Sequence, residues 1–197
     1  MDLYLLPVYL LMGYILGSFP SALIFSRRAG IDDIRDVDSG TMGTYNVLRN
    51  AGRRAAVLTL TADLLKGMAA LFAARYLTGA GQAGELIAVY GAVIGHMFPV
   101  FAGFKGGKSL AVYCGSMLFI SLPVLALNIF SWLIFYKFAD RIAVSSVFAF
   151  SLLPPLFMLI YAGVTPLFWY LLLAGVTIGL RHIPHLREDI KFFKKRL

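Results

Sequence analysis

Six long apolar stretches limit what this chain of 197 residues can fold into; they cover 3–25, 54–77, 85–102, 109–138, 142–161 and 165–180. A helix needs about 20 mainly apolar residues to cross the hydrocarbon core of a bilayer. Only 14% of the residues are charged and the mean hydropathy is +0.79, whereas a soluble domain carries about 25% charged residues. The sequence therefore predicts an all-α, polytopic integral membrane protein, with residues 1–197 forming a single transmembrane helical domain.

The basic residues flank the apolar stretches. The net charge is +8, and all lysines and arginines except Lys66 and Arg75 lie in four clusters, within 27–54, 105–108, 137–141 and 181–196. The positive-inside rule accounts for such clusters, because lysine and arginine are retained on the cytoplasmic side. We therefore expect anionic lipid or a phosphorylated substrate as partner, and no nucleic acid.

The stretch 109–138 is too long for one ordinary span and too short for two full ones. Pro123 interrupts it near its middle, where a proline breaks a helix. Two short crossings would place the basic clusters at 105–108 and 137–141 on the same side of the membrane. We therefore predict about seven transmembrane helices, with the N-terminus outside, the C-terminus cytoplasmic and all four clusters on the cytoplasmic face. The N-terminus has no basic residue before its apolar run, so we expect the first helix to be retained.

The first connection contains a segment of glycines and small hydroxyl residues, Ser39-Gly40-Thr41-Met42-Gly43-Thr44-Tyr45-Asn46, followed by Arg49. Glycines let a backbone approach a ligand closely, and an arginine binds phosphate through two parallel hydrogen bonds. The segment is typical of an anion site. A solvated turn with a helix cap at Ser39 is the alternative.

A second motif begins at Gly95-His96-Met97-Phe98-Pro99 and continues to Phe104-Lys105-Gly106-Gly107-Lys108-Ser109. A glycine pair between two lysines, at the start of a helix, favours phosphate binding. Topology anchoring is the alternative for the lysines, and helix packing for His96. A nucleotide-binding P-loop is excluded, because Ala102 replaces its first glycine and no strand precedes it.

Three other groups carry charge. Arg181-His182-Ile183-Pro184-His185-Leu186-Arg187 follows the last span and has the composition of a basic flank or of an anion pocket. Asp63 and Lys66 share one face of the second helix and are expected to pair and to face the bundle interior, because an unpaired charge in a membrane is costly. Four aspartates, at 32, 33, 36 and 38, favour a solvated loop over a metal site, and we expect no metal or cofactor.

Taken together, and in their order and spacing along the chain, these motifs resemble the bacterial acyl-phosphate:glycerol-3-phosphate acyltransferase (PlsY) family over nearly the whole chain. The matching segments are Gly17-Ser18-Phe19-Pro20-Ser21, Ser39 to Arg49, Asp63-Leu64-Leu65-Lys66-Gly67, Gly95-His96 with Pro99, Phe104 to Lys108 and Arg181-His182. The resemblance implies an inner-membrane enzyme that moves a fatty acyl group from acyl phosphate to the 1-hydroxyl of sn-glycerol 3-phosphate, in phospholipid synthesis.

The resemblance also assigns roles to residues. It implies catalytic roles for Ser39, Arg49 and Lys108 on the cytoplasmic face. It implies substrate binding by Gly40, Gly43, Tyr45, Asn46, Lys105, Gly106, Gly107, Ser146 and His182, with the backbone of Gly106 and Gly107 at a phosphate. Ser145, next to Ser146, is the alternative match to the family serine.

Departures from the family pattern fall beside these residues, at Thr41, Thr44, Tyr45, Ser109 and His185. They leave open a divergent member that uses another polyol phosphate or acyl donor. A carrier that binds phosphorylated lipids without catalysis is the second alternative. Acyl phosphate is already activated, so the enzyme needs mainly to align the acceptor and neutralise two phosphates.

Overall fold

The structure is a computed structural model that describes residues 3–194 and, within them, the side chains of 4–184 and 186. The described residues form helices and connections without strands. The α-helices are α1 (Leu6–Gly17), α2 (Ser21–Arg28), α3 (Thr44–Phe72), α4 (Gln82–Met97), α5 (Leu110–Ile120), α6 (Leu122–Ala139), α7 (Ile142–Val147), α8 (Leu153–Tyr161) and α9 (Pro166–Lys194). Short 3-10 turns cover Leu3–Leu5, Ile34–Asp36 and Val100–Ala102, and π-helical turns cover Ala73–Leu77 and Phe148–Leu152.

Six helical segments among the described residues have the length and apolar composition to cross a membrane: Leu6–Arg28, Thr44–Leu77, Gln82–Ala102, Leu122–Ala139, Ile142–Tyr161 and Pro166–Pro184. The shorter apolar helix Leu110–Ile120 is the seventh. The prediction of an all-α, multi-pass membrane protein is therefore confirmed. The predicted break in the stretch 109–138 is also present, because Ser121 accepts a hydrogen bond from Val124 N and caps α6.

Several boundaries differ from the sequence prediction. The first span is divided at Ser18–Pro20, and Pro20 is the N-cap residue of α2. Helix α3 begins at Thr44 instead of residue 54, and it kinks at Gly52, whose φ of 84° is accessible mainly to glycine. Of the two helices within the stretch 109–138, α6 is long enough to span a membrane and α5 is short. The expectation that both helices would be short was wrong in this respect.

The chain divides into two compact units, Met1–Phe119 and Ile120–Leu197. In the first unit, α1 and α4 pack backbone against backbone through glycines one helical turn apart. A Cβ at Gly13 or Gly17 would overlap a carbonyl of α4, and one at Gly91 or Gly95 would overlap a carbonyl of α1. Small residues at this spacing allow close helix packing in membranes. The same contact joins α3 and α5 at Gly67 and Gly115.

In the second unit, α6, α7, α8 and α9 pack around the π-helical turn Phe148–Leu152. Pro154 and Pro155 lie in the first turn of α8, just after it, and because they lack N–H groups they cannot donate hydrogen bonds back to the carbonyls of this turn. Ser151 in this turn packs on α9, where a Cβ at Gly175 would lie 2.8 Å from the Ser151 carbonyl oxygen.

Candidate active site

The connection between α2 and α3 is held by an ion pair that also contacts the connection after α4. Arg35 Nε bonds Asp33 Oδ1 at 2.9 Å, and Arg35 Nη1 donates to the Ala102 carbonyl at 2.7 Å. The Arg35 guanidinium lowers the pKa of the Asp33 carboxyl below its ordinary value, chiefly through the side-chain hydrogen bond. Ile34 between them is fully buried in an apolar cluster that includes Ala102. The two connections therefore meet at one end of the first unit.

Asn46 determines the shape of the first connection. Its side chain is 1% exposed, and its amide nitrogen donates to the carbonyls of Ile34 at 2.9 Å and Thr41 at 2.9 Å, with a longer contact to Val37 at 3.2 Å. Its carbonyl oxygen accepts from Asn50 at 2.9 Å. Asn46 thus connects the start of α3 to the loop before it. Substrate binding by Asn46 stays a prediction.

Ser39 and Gly40 lie at the exposed tip of this connection. The Ser39 and Thr41 hydroxyl oxygens are 3.0 Å apart, so the two side chains share a hydrogen bond. Gly40 has a φ of 64°, in the left-handed region that favours glycine. Thr41, one of the departures from the family pattern, therefore contacts the Ser39 hydroxyl directly.

Arg49 lies on the first turns of α3, whose N-cap is Gly43. The Arg49 guanidinium is 3.1 Å from Asp38 Oδ2, and it also lies over the Tyr45 ring at 5.9 Å from the centroid. More than half of the Arg49 side chain is exposed to solvent. The structure therefore presents this arginine next to the N-terminus of a helix, where the helix dipole favours an anion.

The glycine pair of the second motif is packed against the end of α4. Gly106 N donates to the Met97 carbonyl and Gly107 N to the His96 carbonyl, both at 3.1 Å. A Cβ on either residue would overlap His96, at its carbonyl oxygen for Gly106 and at its ring Nε2 for Gly107. These positions need glycine because there is no space for a side chain. Phosphate contact by their N–H groups stays a prediction and requires those hydrogen bonds to open or be shared.

The residues beside the glycine pair differ in burial. Lys105 is exposed and Lys108 is half-buried. Ser109 is buried, and its hydroxyl donates to the Val93 carbonyl at 2.7 Å. Ser109 also has a φ of 63°, unusual for a residue with a side chain. Lys108 therefore stands between two residues that are each hydrogen-bonded to α4.

A buried polar cluster lies in the transmembrane part of the same unit. Asp63 Oδ1 and Lys66 Nζ are 2.7 Å apart, which confirms the predicted pair. Ser21 donates to Asp63 Oδ1 at 2.5 Å, and His96 Nδ1 lies 3.3 Å from Lys66 Nζ. The place of Ser21 in this cluster was not predicted, because nothing near Ser21 in sequence indicates a partner on another helix.

Two further predicted residues lie in the second unit. Ser146 is fully buried and accepts a hydrogen bond from Trp132 Nε1 at 3.1 Å. The neighbouring Ser145 hydroxyl donates to the Arg141 carbonyl at 2.8 Å. Substrate binding by Ser146 stays a prediction. His182 is also fully buried, and its Nδ1 donates to the Ile178 carbonyl at 2.8 Å. The contact of Trp132 with Ser146 was not predicted.

The structure therefore joins the connection that bears Ser39 and Arg49 to the one that bears the lysines, within the first unit. Both are rich in cations and glycines, as an anion site requires. Ser146 and His182 are anchored separately within the second unit. His185 lies outside the described side chains.

Comparison with known proteins identifies the family to which this chain is related. Residues 7–191 match the glycerol-3-phosphate acyltransferase family. A relative from Bradyrhizobium diazoefficiens, named glycerol-3-phosphate acyltransferase, is 41% identical over 78% of this chain and 76% of its own length. One of the same name from Nitrobacter winogradskyi is 40% identical over 80% of this chain and 84% of its own.

Two crystal structures have the same fold. They are the glycerol 3-phosphate form and the lysophosphatidic acid form of PlsY, described as an integral membrane glycerol 3-phosphate acyltransferase. Their TM-scores are 0.84 and 0.82, their identities 27% and 26%, and each match covers 94% of this chain and 92% of the other. The resemblance and the prediction of an acyltransferase are thereby confirmed, and this chain belongs to the glycerol-3-phosphate acyltransferase family.

Proposed function

We propose that this chain transfers a fatty acyl group from acyl phosphate to the 1-hydroxyl of sn-glycerol 3-phosphate, giving lysophosphatidic acid and inorganic phosphate. The observation that carries the proposal is the hydrogen bond from Arg35 to Ala102, which joins the Ser39–Arg49 connection to the lysine connection. Two phosphate-bearing substrates need two adjacent sets of cations and hydroxyls, and the contact between these two connections supports such an arrangement.

The reaction needs no covalent enzyme intermediate. The acceptor hydroxyl oxygen forms a bond to the acyl carbonyl carbon, the bond from that carbon to the phosphate oxygen breaks, and the hydroxyl proton ends on a phosphate oxygen. Acyl phosphate is a mixed anhydride with a good leaving group. The protein therefore contributes alignment of the two substrates and neutralisation of the charge that grows on the departing phosphate.

Arg49, Lys108 and Ser39 are the proposed contacts to the phosphates. Arg49 is exposed and now bonds Asp38 at 3.1 Å, so a doubly charged phosphate would compete with this single carboxylate. The Thr41 hydroxyl holds Ser39 Oγ at 3.0 Å and orients it at the tip of the connection. Lys108 is half-buried beside the glycine pair, where partial desolvation strengthens its attraction to an anion.

Ser146 is proposed as a donor to a substrate phosphate. An indole N–H only donates, so the Ser146 oxygen is the acceptor in its hydrogen bond with Trp132. The Ser146 hydroxyl hydrogen is therefore directed away from Trp132 and is suited to donation. His182 is the second proposed contact in this unit.

The proposed location is the bacterial inner membrane, with the N-terminus outside and the active site on the cytoplasmic face. The basic clusters at both joined connections support this orientation through the positive-inside rule. The acyl chain would lie among the apolar helices or in lipid, while both head groups meet the cations at the surface.

The direct test uses purified protein with palmitoyl phosphate and glycerol 3-phosphate. Phosphate release and lysophosphatidic acid are measured together, because release alone also reports hydrolysis. We expect Lys108→Ala and Ser39→Ala to lower kcat/KM by about 100-fold or more, as for the loss of a transition-state donor. Lys137→Ala is the matched control, because Lys137 is an exposed lysine that also flanks a membrane span, at the end of α6.

The control is expected to retain wild-type kcat/KM. Equal activity in wild type and Lys108→Ala would refute the assigned roles. If wild-type protein forms no lysophosphatidic acid from any acyl phosphate, the proposed reaction is wrong for this chain.

A further inference from the structure

The membrane-embedded ion pair has no part in the reaction just described. Asp63 is 1% exposed and Lys66 is 6% exposed, and both lie within the span Thr44–Leu77. Ionisable residues in such segments are costly and commonly mark a functional site. A pair that served only to hold α3 in the bundle would be replaceable by apolar residues. The retention of both charges therefore needs a further reason.

The His96 ring lies beside both members of the pair. A lysine ammonium has hydrogen-bond donors and no acceptor, and Lys66 Nζ lies 2.7 Å from Asp63 Oδ1 and 3.3 Å from His96 Nδ1. The same His96 nitrogen lies 3.6 Å from Asp63 Oδ1, so the ring is held beside both charged groups. Ser21 donates to the same Asp63 oxygen at 2.5 Å and so fixes the carboxylate in turn.

His96 connects this buried cluster to the lysine connection. Its carbonyl accepts from Gly107 N at 3.1 Å. Its ring lies against Gly107, since a Cβ there would be 3.1 Å from both Cδ2 and Cε1 and would overlap Nε2. Backbone and ring of His96 therefore both hold the residue that precedes Lys108.

We propose that Ser21, Asp63, Lys66 and His96 form a positioning network that fixes the Gly106–Gly107 backbone, and through it the Lys108 ammonium, for reaction. None of the four is proposed to touch substrate. The inference rests on the proposed function for its kinetic consequence, while its structural consequence can be measured without any reaction.

The decisive variant removes both charges together. Asp63→Asn or Lys66→Met alone leaves one buried charge without its partner and is expected to lower the Tm strongly. The double variant Asp63→Asn with Lys66→Met leaves none, so its Tm is expected to return close to that of wild type. A purely structural pair would recover activity together with stability.

The control is a second ion pair, which joins the C-terminal end of the span Thr44–Leu77 to the first turn of α4. Arg75 bonds Glu85 through two contacts of 2.7 and 2.8 Å, at the end remote from the lysine connection. Arg75→Met with Glu85→Gln removes equivalent charges there. We expect this control to keep kcat/KM within about twofold of wild type, because Glu85 lies in the first turn of α4, at the opposite end of that helix from His96 and the glycine pair.

For the double variant of the network, we expect kcat/KM for glycerol 3-phosphate to stay about 10-fold or more below wild type despite the recovered Tm, because misplacement of a catalytic group by about 1 Å costs this much or more. Hydrogen exchange of the Gly106 and Gly107 amides, followed by mass spectrometry, is expected to accelerate by a similar factor. The control pair is expected to leave that exchange unchanged.

Recovery of wild-type kcat/KM in the double variant, or unchanged exchange at Gly106 and Gly107, would overturn the proposal. If the wild-type protein transfers no acyl group, the proposed function fails. The exchange measurement then still decides whether the network holds the loop.

Discussion

Substitution of Gly106 by alanine tests the packing of the lysine connection. The new Cβ would overlap the His96 carbonyl oxygen and lie 2.7 Å from Pro99 Cδ and 2.8 Å from the Met97 carbonyl oxygen. Ordinary contacts begin at 3.4 Å, so the backbone must move by roughly 0.7 Å even to clear Pro99. Carbonyls and a proline ring cannot rotate away as a flexible side chain would. The movement stretches the 3.1 Å bond from Gly106 N to Met97 beyond hydrogen-bond range.

The cost follows from these distances. Overpacking contributes about 1–3 kcal/mol, and a lost backbone hydrogen bond adds about 1 kcal/mol. We expect Gly106→Ala to destabilise the protein by about 2–4 kcal/mol in total. The backbone displacement of roughly 0.7 Å, which lies beside Lys108, is expected to lower kcat/KM by about 10- to 100-fold.

The assays are thermal unfolding in detergent and lysophosphatidic acid formation from palmitoyl phosphate. Gly81→Ala is the matched control, because a Cβ at Gly81 meets nothing within 4 Å and its φ of −73° suits any residue. Gly81 lies at the N-cap of α4, at the opposite end of that helix. A Gly106→Ala protein with the Tm and kcat/KM of the Gly81→Ala control would show that the connection is loose, and would refute the reasoning.

Three further outcomes are expected. Asn46→Ala removes the donors to the first connection and should destabilise by about 2–3 kcal/mol, measured by thermal unfolding; an unchanged Tm would contradict its assigned role. Arg35 lowers the pKa of Asp33 below its ordinary value of 3.8. The stabilising contribution of this ion pair is therefore fully present above pH 3.8 and is lost as the pH falls through the lowered pKa of Asp33. Hydrogen exchange in the connection should rise in that acidic range in wild type, and Asp33→Asn should remove this pH dependence. On a Cys114→Ala background, a membrane-impermeant thiol reagent applied from outside should label engineered cysteines at Thr78 and Ala162 and spare one at Ala29; the reverse pattern would invert the proposed topology.

The sequence predicted the features that depend on the cost of transferring groups into lipid. Apolar stretches of spanning length predicted the helices, and the distribution of lysine and arginine placed two crossings within 109–138. The buried pair of Asp63 and Lys66 was predictable for the same reason, since an unpaired charge there is too costly. Pro123 marked the break, and capping by Ser121 places it.

Contacts between distant parts of the chain were not predictable. The spacing of Asn46 does not reveal that its amide bonds carbonyls of the connection before it, and nothing in the sequence links Arg35 to Ala102. The N–H groups of Gly106 and Gly107 were expected to meet phosphate, whereas they bond carbonyls of α4. A Gly-Gly pair indicates close approach of another group. Whether that group is a ligand or the protein itself depends on the fold.

Ser109 shows how a departure from a family motif can be tolerated. A residue with a side chain in the left-handed region costs about 1–2 kcal/mol, and Ser109 has a φ of 63°. Its buried hydroxyl donates to the Val93 carbonyl at 2.7 Å, a bond that contributes about 1 kcal/mol and that glycine cannot make. The two terms nearly cancel, so Ser109→Gly should change the free energy of unfolding by less than about 1 kcal/mol in thermal unfolding. A larger loss would mean that the hydroxyl bond, and not the backbone conformation, holds the start of α5. Near equality would explain why a serine is tolerated in this left-handed conformation.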